Sequence, residues 1–179
     1  MLVFDLETDG LLNDVTQIHC LCIYDTETKE TMVFNDQAFK RHTDEPAKEP
    51  IVRGIQLLED AECIAGHNII GYDNPVIKKL YPWFRCPNNV VDTLLISRLL
   101  HPNLMDIDKK KKWKYMPLQL YGRHSLEAYG HRLGEYKGQF GKTADWKEWS
   151  SEMEEYMIQD VNVTNKLWKH FQQKLGILH

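Results

Sequence analysis

Three strand-like runs crowd the first 35 residues of this 179-residue chain, and they constrain what the remainder can build. Leu2-Val3-Phe4 reads as a buried strand, Ile18 to Tyr24 as a second and Thr31 to Phe34 as a third. Asp9-Gly10 and Asn13-Asp14 mark the first connection, and Asp25 to Lys29 a hairpin turn. Elements then alternate. Ile51 to Leu58 has helical spacing, and Cys63-Ile64-Ala65 reads as a short strand. Asn74-Pro75 opens a helix, Asn as N-cap and Pro at the first helical position. Val90-Val91 is a last short strand, and Asp92 caps a helix running through Leu100. Residues 36–50, polar with Pro46 and Pro50, form a surface excursion, and residues 101–123 form a long basic loop without apolar period. Leu126 to Leu133 is a short helix. Ser151-x-x-Glu154 is a capping box for a final helix. Its apolar stripe is Met153, Met157, Val161, Thr164, Trp168, Phe171 and Leu175. The expectation is one α/β domain over residues 1–179: a mixed sheet of three N-terminal strands plus two short ones, with helices on its faces.

Four acidic residues in three blocks carry the chemistry. Asp5 and Glu7 sit in Val3-Phe4-Asp5-Leu6-Glu7-Thr8, Asp73 closes Asn68-Ile69-Ile70-Gly71-Tyr72-Asp73, and Asp160 closes Tyr156-Met157-Ile158-Gln159-Asp160. On a strand, Asp5 and Glu7 share a face about 6.6 Å apart, so both carboxylates reach one cation. Hard divalent cations take oxygen ligands. Two such ions about 3.5–4 Å apart can hold the attacking and leaving oxygens of a displacement at phosphorus. Tyr156 and Asp160, four residues apart, project from one side of the last helix. An unperturbed phenol titrates near about 10, which favours positioning of a water over full base catalysis.

All three blocks, in this order, resemble the motifs of the DEDD 3′–5′ exonuclease superfamily, in the variant with Tyr-x-x-x-Asp in the third block. The resemblance spans essentially the whole chain and is nearest to the proofreading domains of T-odd phage family A DNA polymerases. Val90 to Leu99 and His124 to Gly134 also look like segments of those domains. The resemblance implies a ribonuclease-H-like fold and two Mg²⁺ or Mn²⁺ ions per site. It implies that Asp5 bridges both ions, that Glu7 and Asp160 complete the nucleophile's site, and that Asp73 acts on the second ion through water. His67 and Asn68 look like supporting residues. Leu11 matches an apolar wedge on the terminal base, with a loop-anchoring leucine as the competing reading, and Thr8 lies beside it. The implied substrate is a single-stranded DNA 3′ end, held by stacking and backbone contact. RNA cleavage and a silent strand-binding or polymerase-docking module are the alternatives. A free-standing nuclease, a subunit working with a separate polymerase chain and an excised domain all fit.

Net charge is −4, which argues against a broad nucleic-acid footprint, although a carboxylate metal site is itself acidic before ions bind. The local basic signal is Lys109-Lys110-Lys111-Lys112-Trp113-Lys114, followed by Arg123 and His124. A solvated loop is its bland reading. Lys110, Lys111, Lys112 and Trp113 are the DNA-binding candidates within it. Cys20, Cys22, Cys63 and Cys86 lack zinc-ribbon spacing and read as reduced core cysteines. No run approaches the roughly 18 apolar residues of a membrane span. No signal peptide precedes the first strand, so the expected location is the cytoplasm, the host's if phage-encoded.

Overall fold

The first three runs form an antiparallel meander, β1 (Leu2–Thr8), β2 (Ile18–Asp25) and β3 (Thr31–Asn35). Two later strands, β4 (Cys63–Gly66) and β5 (Asn89–Asp92), add in parallel on the other side of β1, giving the order β3-β2-β1-β4-β5. The structure is a computed structural model and describes residues 1–37, 48–135 and 145–177. Most of the excursion expected over residues 36–50 therefore lies outside the described residues.

Alternation along β1 sorts the two faces. Phe4 and Leu6 join Ile51, Ile55 and Leu58 of α1 (Ile51–Asp60) and Val76 and Ile77 of α2 (Asp73–Leu80). Gly54 lets α1 settle tightly, since a Cβ there would collide with the Leu21 and Phe34 side chains. Val3, Cys20, Cys22 and Ala65 face the other way, against Met153, Met157 and Val161 of the long final helix. The order of the remaining helices is α3 (Thr93–Leu100), α4 (Leu104–Lys111), α5 (Leu126–Leu133) and α6 (Ser151–Lys174). Both faces of the sheet are thus covered, as expected. Asp92 does cap α3, accepting from the Leu94 and Leu95 amides, and Ser125 caps α5.

Four local expectations change. The helix expected from Asn74-Pro75 starts two residues earlier, at Asp73, with Tyr72 at the cap position and no side-chain cap; the Asn74 amide bonds back to the Ile69 carbonyl. The capping box at Ser151 shifts to Ser150, whose hydroxyl accepts from the Met153 amide. Glu154 instead turns inward and accepts from Asn35 Nδ2, Trp149 Nε1 and Lys48 Nζ. The α6 stripe buries Val163, Leu167 and Phe171, while Leu175 is 45% exposed. Residues 101–123 are not all loop. They contain α4 and a one-turn 3-10 helix, Leu118–Leu120. Periodicity missed α4 because the buried residues of that helix are Leu104 and a carboxylate, Asp108. Asp108 is fully buried and pairs with Arg132 through two hydrogen bonds of 2.7 and 3.0 Å. It also accepts from Trp113 Nε1 and the Gly122 amide.

All four cysteines are unpaired, and Cys20 and Cys22 are buried as expected, whereas Cys63 is partly buried and Cys86, beyond the end of α2, is exposed and not a core residue. Burial pushes both thiols up, Cys22 to about 12 with the Asp5 carboxylate adding to it. Among the described residues no helix is long and apolar enough to cross a membrane.

Candidate metal centre and nucleic-acid cleft

Strand β1 delivers Asp5 and Glu7 to the face covered by α6, and the helix delivers Asp160 from above. Ligand-capable oxygens of Asp5, Glu7 and Asp160 all lie within 4.8 Å of one another. Glu7 and Asp160 are 8% and 7% exposed, so Asp160 is not an ordinary solvent-facing helix acid. Three carboxylates this close repel unless a cation or protons intervene. The donor set is oxygen alone, which fits a hard divalent ion such as Mg²⁺ or Mn²⁺. The neighbouring Cys20 and Cys22 hold their protons and do not alter that preference.

Asp73 does not join this group. It is 3% exposed at the start of α2, and the Leu6 amide, between Asp5 and Glu7 in sequence, hydrogen-bonds its carboxyl. Burial pushes Asp73 up to about 7, with Asp92 adding to the rise and its own amide and that of Leu6 opposing it. A folded pKa raised above the ordinary 3.8 means the neutral acid stabilises the fold at low pH. That contribution falls as pH rises from 3.8 to about 7 and is gone above it. In chelator, wild type should therefore lose more stability than Asp73→Asn between about pH 4 and about pH 8. Urea midpoints across that range check this, and parallel curves would refute it.

The turn before Asp73 is shaped by residues singled out from sequence. Asn68 has a positive φ of 66°, a conformation Asn tolerates well, and its amide donates to Asp92 at 3.0 Å. Asp92 thus caps α3 and also holds the turn, accepting from the Ile70 amide as well. Thr93 donates to the Gly66 carbonyl, so His67 Nδ1 is the donor in its 2.9 Å contact with Thr93. His67 and Asn68 line a cavity of about 470 Å³ with Arg98, Arg123, His124 and the start of α5. Arg98 was not legible as a site residue, because nothing in an amphipathic helix marks one basic residue from another.

A second cavity, of about 320 Å³, is lined by Leu6, Glu7, Thr8, Gly10, Leu11, Tyr72 and Trp146, so it reaches the carboxylate group at Glu7. Leu11 is 76% exposed, and Val15 and Leu12 anchor its loop instead. The Thr8 and Tyr72 hydroxyls lie within hydrogen-bond distance of each other and of the Gly10 carbonyl, at 3.0 and 2.6 Å from it, and their two protons serve two of these three contacts at a time. Tyr72 was visible only as the residue before Asp73, and Trp146 had no signal beyond being aromatic. Tyr156 meets Trp146 edge-on, with ring centroids 6.4 Å apart.

The lysine run sits elsewhere in local structure than expected. Lys109, Lys110 and Lys111 form the last turn of α4, where positive charge suits the helix dipole, and Lys112 ends it with φ 50°. All are exposed. Trp113 is partly buried, bonded to Asp108, with Lys111 Nζ 5.4 Å from its ring centroid. One face of that ring therefore already carries a cation.

Residues 2–172 match the family model of the RNase H superfamily. The chain belongs to the RNase H superfamily. This bears out the fold and the family resemblance read from the acidic blocks. The chain is also 34% identical, over 189 residues and 93% of its length, to the DNA-directed DNA polymerases of Escherichia phage T7 and Enterobacteria phage T3. It spans only 26% of each polymerase. Among solved structures, Brucella melitensis NrnC with bound Mg²⁺ superposes with a TM-score of 0.63 at 18% identity, covering 98% of this chain and 73% of NrnC. Exonuclease I of E. coli in complex with single-stranded DNA superposes at 0.57 and 18% identity, covering 97% and 40%.

Proposed function

We propose that this domain, residues 1–179, is a metal-dependent 3′–5′ exonuclease that releases nucleoside 5′-monophosphates from single-stranded or frayed DNA 3′ ends. The observation that carries this reading is the convergence of Asp5, Glu7 and Asp160 within 4.8 Å, beside a cavity lined by apolar and aromatic side chains. Superfamily membership and the T7 and T3 polymerase relatives support it. Asp5, Glu7 and Asp160 would hold one divalent cation, Mg²⁺ or Mn²⁺, and Asp73 would serve a second through water. Such ions supply Lewis acidity toward the scissile phosphate and charge neutralisation for the departing 3′ oxygen. Tyr156 orients the attacking water. Leu11, over the cavity beside Glu7, wedges against the terminal base, and Thr8 hydrogen-bonds beside it.

The upstream strand runs past the basic cavity, where Arg98, Arg123, His67 and Asn68 take its phosphates. This resolves the apparent conflict of an acidic chain with an anionic substrate: the positive groups are local. Lys110, Lys111 and Lys112 extend that path, with Trp113 holding the end of their helix. The biological setting is phage DNA replication or proofreading in the host cytoplasm, with the 3′ end handed over by a polymerase on the same or a separate chain.

The deciding experiment incubates the protein with 5′-labelled DNA and RNA oligomers of matched sequence, with Mg²⁺ or with chelator. A 3′-to-5′ ladder on DNA, dependent on metal and weaker on RNA, is the expected result. Preference for RNA would reassign the substrate, and no cleavage of either would leave a silent binding module. Tyr156→Phe deletes one hydroxyl and keeps the contact with Trp146. It should slow single-turnover cleavage roughly tenfold to several hundredfold without weakening DNA binding. An unchanged rate would reduce Tyr156 to a packing residue.

A further inference from the structure

Trp146 shares a cavity with Glu7 and touches Tyr156, yet no acidic block announces it. Its ring lines the same cavity as Glu7, Leu11 and Tyr72, so whatever fills that cavity is within reach of a metal ligand. The ring also meets Tyr156 edge-on, at 6.4 Å and 73°. Its backbone is held from the sheet. Pairing of Glu7 with Cys20 and of Thr8 with Ile18 leaves His19 as the extra residue of a β-bulge. The bulge turns His19 toward α6's side, where Nε2 lies 2.9 Å from the Trp146 carbonyl. A carbonyl only accepts, so Nε2 carries the proton. His19 is 1% exposed, and its Nδ1 has no hydrogen-bond partner. Burying an imidazole with one nitrogen unsatisfied is unfavourable, and the bond to Trp146 is what that placement achieves.

We infer that Trp146 is a wall of the 3′-terminal nucleoside pocket, stacking on the terminal base, while His19 acts as a positioning residue through the Trp146 backbone. This rests on the exonuclease reading above. The occupant is a base and not a phosphate, because among the described residues no Lys, Arg or His lines the cavity, and Leu6, Leu11, Tyr72 and Trp146 give it mainly apolar and aromatic walls. Every base has a π-face, so the contact tolerates all four. A cavity of about 320 Å³ is within the range of small-molecule sites.

The test pairs two oligomers, one with an ordinary 3′-terminal nucleotide and one with a 3′-terminal abasic sugar, against wild type, Trp146→Ala and Trp146→Phe. On the ordinary oligomer, Trp146→Ala should lose about fivefold to about a hundredfold in kcat/KM. On the abasic oligomer it should lose little, since wild type has no base to stack. Trp146→Phe keeps a ring and should retain most of the discrimination. His19→Gln, which keeps a donor, should preserve the difference between the oligomers, whereas His19→Leu should shrink it. Should Trp146→Ala not fold, Trp146→Leu replaces it, filling the volume without a π-face. Equal losses on both oligomers, or none on either, overturn the inference while wild-type cleavage keeps the exonuclease reading. Absence of metal-dependent cleavage by wild type on both oligomers overturns the two together.

Discussion

Asp5→Ala and Asp160→Ala are each expected to reduce Mg²⁺-dependent release of mononucleotides at least about a thousandfold, a loss of roughly 4 kcal/mol of transition-state stabilisation. Each substitution removes one of three carboxylates gathered within 4.8 Å, and no remaining side chain in that group can replace its charge. Both variants should stay folded. Removing one of three crowded negative charges relieves repulsion in the metal-free protein, so thermal unfolding in chelator should occur at the same or a higher temperature than wild type. Addition of Mg²⁺ should then raise the wild-type midpoint more than that of either variant, because binding stabilises only the state that has the site. Single-turnover gels and melting curves with and without Mg²⁺ measure both halves. Near wild-type cleavage by a folded variant would remove the three-carboxylate group from the chemistry.

Asp108→Ala should cause the largest loss of stability, about 3–5 kcal/mol. The substitution strands Arg132, whose side chain is 6% exposed, without its carboxylate. It also removes the acceptor of the Trp113 indole and the Gly122 amide. Burial alone would raise the Asp108 carboxyl, but hydrogen bonds from Arg132, Gly122 and Trp113 outweigh it and hold Asp108 below the ordinary carboxylate range. The ion pair thus favours the fold above the ordinary Asp pKa and weakens as pH falls through the lowered one. A domain of this size should melt roughly 10 °C lower. Replacing both partners, as Asp108→Leu with Arg132→Met, should recover much of that loss, since no charge is then left alone in the interior. Gly122 precedes Arg123 and His124, so Asp108→Ala should weaken DNA binding even below its melting temperature. An unchanged midpoint would mean that α4 is not held by this pair.

The acidic blocks were legible because each depends on local geometry. Period-two alternation puts Asp5 and Glu7 on one face, and a four-residue step puts Tyr156 and Asp160 on one side of a helix. The sheet and its two helical layers followed from apolar patterning for the same reason. Errors of two residues at Asp73 and one at Ser150 are what local capping rules permit when a neighbouring carbonyl or carboxylate competes for the same amide or hydroxyl. Helix α4 escaped because its inward face is built from Leu104 and an ion pair, and hydrophobic periodicity does not register a buried Asp108 whose partner lies 24 residues away.

By itself, then, the chain's order of residues determined the sheet, the three acidic blocks and the residue types able to hold a hard cation. Only the tertiary structure decided which carboxylates meet. It gathered Asp5, Glu7 and Asp160 and buried Asp73 beside them under the Leu6 amide. It also decided what surrounds them: Tyr72 and Trp146 at one cavity, Arg98 and Arg123 at another. The physical reason is range. Propensity, capping and alternation act over a few residues, whereas His19 meets the Trp146 carbonyl across 127 positions, a contact no local rule encodes.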